Sequence, residues 1–214
     1  MASEIWVRVT WPHELGVILH VMILFKGKGS IHDHAGYRPI GLFNVATKVI
    51  TMCILLLMRE DIENFLPDWQ YGFRKGRSTG QAIAVWQWMR DVIVGRGEKA
   101  LAMLLDFEDA FTSISHVFLF YAMEKAGIAP HLIRLSKELY KIAKGQVRTK
   151  GLDGEVVLSD PYDINNGVIK GNGPSPQEFL VGMHIMMLEI GMSPHPLLPI
   201  TSGSGSVKRP HQLL

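Results

Sequence analysis

One cysteine, Cys53, is all that 214 residues contain. Neither an internal disulfide nor a cysteine-based zinc site can form within the chain, and a reducing compartment is expected. Charge of one sign is also scarce: Lys and Arg number 22 against 20 Asp and Glu, a net charge of +2. Affinity for nucleic acid would therefore have to come from local clusters of basic residues, not from the average. Long apolar runs are missing. LGVILHVMILF at 15–25 and VITMCILLLM at 49–58 are each about half of the ~20 residues a membrane span requires, so they read as buried core elements and no membrane partner is expected. The first ten residues hold Glu4 and no basic leader, which argues against a secretory signal and for an intracellular location. Apolar residues at 47% and charged residues at 20% describe a folded chain of one large domain or two small ones.

The punctuation of the chain predicts its elements. VILHVMILF (17–25) is β-rich and stops at KGKGS; GYRPIGL follows as an extended piece. Asn44 reads as the N-cap of a helix over about 45–64, and Pro67 lies beyond its end. DWQYGFRKGRSTG (68–80) is a Gly-rich basic loop, and Ser78 or Thr79 caps a helix over about 80–95 whose buried side is expected to be Ile83, Val85, Trp86, Met89, Val92 and Ile93. GRGEK then leads into an expected strand, ALAMLLDF (100–107). A helix ended by Gly127, a helix begun near Pro130 and ended by Gly145, three short strands (QVRTKG, EVVLS, YDINNGV) and a last apolar helix to about Ile190 complete the reading. From Met192 the Pro, Gly, Ser and His content predicts a poorly packed or disordered tail over 192–214. Helices packed on short strands, without βαβ alternation, indicate the α+β class.

The stretch LLDFEDAF (104–111) places Asp106, Glu108 and Asp109 at the end of the expected strand. Their repulsion can be relieved by a lysine, by solvent or by a metal ion, and the residues alone leave all three open. Hard cations take oxygen ligands, and phosphoryl transfer needs placement and charge neutralisation more than covalent help.

Four segments occur in order: YRPIGLFNVATKVI, GFRKGRST, LLDFEDAF and GVIKGNGPSP. Together they resemble reverse transcriptases of the non-LTR retrotransposon and group II intron type, in which the matching segments look like Y-R-P-I-S-L, G-F-x-x-G-R-S, D-F-x-K-A-F-D and G-V-x-Q-G-x-x-x-S-P. The resemblance covers about residues 20–190. It implies a right-hand polymerase fold, with fingers over 1–98 and part of a ferredoxin-like palm over 99–191, and with the thumb absent. It implies RNA template, DNA primer, dNTP and Mg²⁺ as ligands, and a nuclear location. On the same ground Asp106 matches the first catalytic aspartate and Phe107 offers a backbone carbonyl beside the metal. Asp109, Ala110 and Phe111 match nucleotide-side positions, with Phe111 as the ring that excludes a 2′-hydroxyl. Arg38, with Lys26 or Lys28 near it, matches the triphosphate-binding fingers residues. Gly171, Ser175 and Pro176 match the loop and helix start that contact nucleotide and template. Arg74, Lys75 and Arg77, interleaved with Tyr71 and Phe73, suit nucleic-acid backbones.

Plainer readings stand beside these. Arg38 can cap a turn, Phe111 can be a core aromatic, and RKGR can be a solvated loop. His32 and His34 around Asp33 suggest a polar loop more than a metal site, and Lys141, Lys144, Arg148 and Lys150 suggest a solvated helix end. The sequence also departs from the family. Thr112 stands where Asp is usual, Lys170 where Gln is usual, and Asn172 where a small residue is usual. No Asp-Asp pair occurs anywhere, although the family places its remaining catalytic carboxylates in a Tyr/Phe-x-Asp-Asp hairpin. The expectation is a truncated domain that does not polymerise DNA alone, with a sheet edge open to a protein partner. The alternatives are a non-catalytic nucleic-acid-binding relic and a structural or interaction fragment.

Overall fold

The computed structural model describes residues 1–24, 37–150 and 153–191. Lys26, Lys28, the His32–His34 run and the 192–214 tail lie outside the described residues. The elements are helix α1 (Ala2–Arg8), a 3-10 turn (His13–Leu15), strands β1 (Val17–Leu24) and β2 (Tyr37–Phe43), helices α2 (Val45–Phe65), α3 (Thr79–Gly95), α4 (Ala110–Ser113), α5 (His116–Lys125) and α6 (Pro130–Ile142), strands β3 (Lys144–Lys150), β4 (Val156–Leu158) and β5 (Tyr162–Asp163), and helix α7 (Ser175–Glu189). The class is mixed α and β, as expected.

The caps account for most helix boundaries. Asn44 accepts a hydrogen bond from the Ala46 amide at 2.8 Å and opens α2. Ser78 and Gln81 form a reciprocal capping box at α3. Ser115 accepts from the Phe118 amide at 3.2 Å to open α5, and Gly127, at φ +76°, follows its end. Pro130 occupies the first turn of α6, where its missing N–H is no loss.

The sheet runs β2-β1-β3-β4, with β5 also on β3. β1 pairs antiparallel with β2, from Ile18 opposite Phe43 to Leu24 opposite Tyr37. It pairs parallel with β3, from Val17 opposite Lys144 to Val21 opposite Arg148. β1 thus joins an N-terminal hairpin to a strand far along the chain, and the intervening helices make the crossover that a parallel pair requires. The core gathers Ile18 from the sheet, Met58 and Ile62 from α2, Leu119 and Met123 from α5, Leu135 and Leu139 from α6 and Val181 from α7. Trp11 is tied in by a 3.0 Å bond from its Nε1 to the Leu135 carbonyl, and Thr47 by a 2.8 Å bond to the Leu15 carbonyl.

Three expectations need correction. Residues 100–107 form no strand: they pair with no described strand, and Leu101 and Leu104 are 93% and 96% exposed. Alternation and apolar content state what a strand offers, but a ladder needs a partner, and without one the backbone groups are left to water. Helix α3 forms as expected but buries no residue. Ile83, Val85 and Trp86 are exposed, and Met89, Val92 and Ile93 are only half-buried. Helix α2 buries one stripe (Thr47, Thr51, Ile54, Leu55, Met58, Ile62) and leaves Val49, Met52, Leu56 and Leu57 exposed.

One close approach positions the rest. Gly41 in β2 lies against the Lys170 carbonyl, and Gly171, at φ +88°, lies against the Gly41 carbonyl; a Cβ on either glycine would collide with backbone. Gly171→Ala and Gly41→Ala should each destabilise the chain by about 2–4 kcal/mol in urea titrations. Gly95→Ala, with open space around it at the end of α3, should change stability by less than about 1 kcal/mol, in the stabilising direction.

Candidate functional site

The acidic stretch leads into α4. Asp109 adopts a left-handed conformation (φ 45°), and its carbonyl accepts from the Thr112 amide at 2.9 Å and the Thr112 hydroxyl at 2.8 Å. Asp106, Glu108 and Asp109 are exposed and make no salt bridge with a described residue. All three side chains face solvent among the described residues. Among the described residues no three His, Cys, Asp or Glu side chains come together in a way that would hold a metal. Among the described residues Asp106 therefore stands as a single carboxylate and not as part of a three-ligand protein site.

Beyond Asp109 the motif segments converge. Phe111 on α4 meets Phe179 of α7 edge to face at 4.7 Å and Phe73 of the basic loop at 6.2 Å. Its carbonyl accepts from the Val168 amide at 2.7 Å, and the Ile114 carbonyl accepts from the Gly167 amide at 2.7 Å. A side chain at Gly167 would strike α4, its Cβ falling 2.6 Å from Thr112 Cα. Gln177 of α7 donates to the Phe73 carbonyl at 3.3 Å. These contacts join GFRKGR, LLDFEDAF and GVIKGNGPSP. YRPIG is joined through the Gly41–Gly171 contact. Arg38 lies exposed on β2, in register with Ile23 of β1. Ala110 begins α4 and is half-buried, and Phe107 is 44% exposed.

The basic loop divides. The Arg74 side chain is 6% exposed and bonds Glu63 at 2.9 Å, the Pro67 carbonyl at 2.6 Å and the Glu63 carbonyl at 3.3 Å. It satisfies the carbonyls at the end of α2 and is engaged inside the fold. Arg77 pairs with Asp68 at 2.7 Å and lies over the Tyr71 ring, 5.7 Å from its centroid. Lys75 is exposed, without a salt bridge to any described residue. At the start of α7, Ser175 is 3% exposed and its hydroxyl donates to the Ile169 carbonyl at 2.7 Å, while Pro176 sits in the first helical turn. Asn172 is buried with no partner for its amide oxygen among the described residues.

A buried acid went unread in the sequence. Glu178 is 1% exposed and accepts from the Tyr140 hydroxyl at 2.6 Å. Burial pushes the carboxyl up to about 7, although the Tyr140 bond pulls the other way. The Tyr140 hydroxyl is held well above its ordinary value, first by burial and then by Glu178. The available signal was the spacing of Ser175, Glu178 and Val181–Gly182 in an otherwise apolar helix, which sets the acid on the buried stripe.

With this geometry in hand, the comparisons give the class. The reverse transcriptase (RNA-dependent DNA polymerase) family matches residues 26–186, which take in all four motif segments. The chain belongs to that family. One relative is the RNA-directed DNA polymerase from mobile element jockey of Drosophila funebris, 28% identical over 158 residues. The match covers 73% of this chain and 16% of the relative, so the chain spans a small part of that protein's length. No described helix is long and apolar enough to cross a membrane.

Arg74→Ala should cost about 2–3 kcal/mol in chemical denaturation, because it strands Glu63 and two carbonyls. Arg77→Ala, whose partner is solvent-exposed, should cost less than about 1 kcal/mol. Glu178 sets a pH dependence of known sign. Its folded-state value lies above the ordinary 4.5, so its contribution is fully present below about pH 4.5 and is lost as pH rises through about 7. Glu178→Gln cannot ionise. The stability of the wild type relative to this variant should fall by about 3 kcal/mol between pH 4 and 8; a flat difference would contradict the assignment.

Proposed function

We propose that this chain is part of a non-LTR-type reverse transcriptase domain, with fingers over 1–98 and part of the palm over 99–191, and that it acts in copying RNA into DNA from dNTPs. The observation that carries this reading is the meeting of the four family segments around Gly41–Gly171 and Phe111. Phe111 stands between the basic loop and α7, where a ring can bound a sugar. Arg38 and Lys75 are exposed cations for phosphate oxygens, whereas Arg74 serves the fold.

The chain does not polymerise DNA by itself. Family chemistry rests on divalent metal, Mg²⁺ in this reading, held by several carboxylates. Asp106 supplies one, nothing described converges on it, and the sequence has no Asp-Asp pair. Catalysis then depends on carboxylates from elsewhere. An open apolar surface supports a covering partner: Leu101, Met103 and Leu104 are exposed, as are Trp86 and Trp88 of α3. A groove of about 380 Å³ is lined by Phe107, Phe118, Phe179 and Met183 among others.

Two measurements on the 214-residue chain test this. Fluorescence anisotropy with an RNA–DNA primer–template should show binding that weakens with salt, with Lys75→Ala lowering the salt slope by about 1 and Asp106→Ala leaving it unchanged. Primer extension with Mg²⁺ should give no product above the protein-free control. Salt-independent or absent binding would refute the nucleic-acid role, and extension abolished by Asp106→Ala would refute the claim of inactivity.

A further inference from the structure

Helix α2 is apolar on two sides, and the core covers one of them. Thr47, Thr51, Ile54, Leu55, Met58 and Ile62 are buried. On the opposite side Val45, Val49, Met52, Cys53, Leu56 and Leu57 are exposed, Val45 to 76% and Leu56 and Leu57 each to 55%. A helix that is apolar nearly all round is normally covered all round. The open residues fall in two adjacent rows at the i, i+4 spacing. Val45, Val49, Cys53 and Leu57 form one row, and Met52 and Leu56 form the other. Rows of this spacing are the ridges that interlock in the commonest mode of helix packing. No charged side chain interrupts them. Lys48 and Arg59 run along one border, Asp61 lies on the other and Glu60 closes the C-terminal end. None of these four makes a salt bridge with a described residue.

The area and the border identify the occupant. With about half of each open side chain exposed, two copies of this face would together remove on the order of 1,000 Å² from water, the size at which specific interfaces begin. A nucleic acid needs cations inside the contact, and the two rows hold none. A helix lying in a lipid surface keeps its other side in water, whereas the other side of α2 is the core. A border with two charges of each sign does not repel its own copy and does not select a highly charged partner. We propose that this face is a self-association surface, on which α2 packs against α2 of a second copy about a two-fold axis near Cys53. The Val45–Val49–Cys53–Leu57 ridge of each chain sits in the groove between the two rows of the other. A two-fold contact uses the same patch on both chains, so assembly closes at a dimer. The surface is distinct from α3 and from the 101–105 stretch, and it does not rest on the polymerase reading.

Sedimentation velocity of the 214-residue chain across the micromolar range should show a 24.0 kDa monomer passing to a dimer. Val49→Lys and Leu56→Lys, both at exposed positions, should weaken dimerisation by at least about tenfold. Leu104→Lys, on the other open apolar stretch, should leave it unchanged. Cys53 is the chain's one thiol and gives an independent readout that needs no folded variant. A short bis-maleimide should join two wild-type chains into one covalent dimer, and Leu56→Lys should suppress that product. A monomer at every concentration would overturn the proposal and leave the face to a different protein. A dimer that survives Leu56→Lys and dissociates in Leu104→Lys would also overturn it, by assigning association to the 101–105 stretch. So would a wild-type dimer that the bis-maleimide cannot link through Cys53.

Discussion

Two backbones that touch with no side chain between them hold the site in place. Gly41 sits in an edge strand whose ladder on one side is β1, and its other contact is the turn at Lys170–Gly171. That turn is itself pinned, because the Ile169 carbonyl accepts both the Asn172 amide at 3.1 Å and the Ser175 hydroxyl at 2.7 Å. Ser175 starts α7, and α7 carries Phe179 to Phe111. The strand bearing Arg38, the turn bearing Lys170 and the ring of Phe111 are therefore positioned by one chain of short-range contacts. Packed interiors transmit displacement and do not absorb it, so a side chain inserted at the glycine contact would reach all three.

The buried Glu178 bears on the same chain of contacts. Helix α7 is apolar on most of its surface, and an apolar helix against an apolar core has several nearly equivalent registers. A carboxyl that must meet one hydroxyl removes that degeneracy, because every other register leaves it without a partner at a cost of several kcal/mol. Tyr140 supplies the hydroxyl from α6, so one point of the register of α7 is fixed by a helix other than α5, on which α7 mainly packs. The neutral acid is the favoured state in such a place, which is why burial outweighs the hydrogen bond in setting its proton affinity.

The sequence was most legible where structure is made by neighbours in the chain. Asn44, Ser78, Gly127 and Pro130 marked helix ends because capping is local chemistry. The strands within QVRTKG and EVVLS were likewise readable from the turn between them, whereas only Tyr162–Asp163 of YDINNGV is strand. The reading failed where a distant partner decides. ALAMLLDF has the composition of a strand and no described strand to pair with. Ile83, Val85 and Trp86 have the spacing of a buried face and nothing described over them. Arg74 looked like its neighbour Lys75, yet the end of α2, with Glu63 and Pro67, draws it inward. Glu178 was visible as an acid in an apolar helix, but its partner lies in another helix, and no local pattern names Tyr140.

The uncovered leucines lie in the same stretch as Asp106, Glu108 and Asp109, and that coincidence ties assembly to chemistry in the proposed arrangement. Bringing further carboxylates beside Asp106 is opposed by their mutual repulsion, about 1–4 kcal/mol per close pair at aqueous to near-surface dielectric. Covering Leu101, Met103, Leu104 and Leu105 yields about 1.5–3 kcal/mol for each side chain fully buried. The apolar gain exceeds the electrostatic opposition of one such pair even if half of it is lost to ordering the two segments. A covering strand can therefore be held by its apolar face while its acids face Asp106, and the remaining repulsion is what a bound cation would relieve. On these magnitudes, covering the apolar side chains of the 101–107 stretch would outweigh the cost of bringing one further carboxylate beside Asp106.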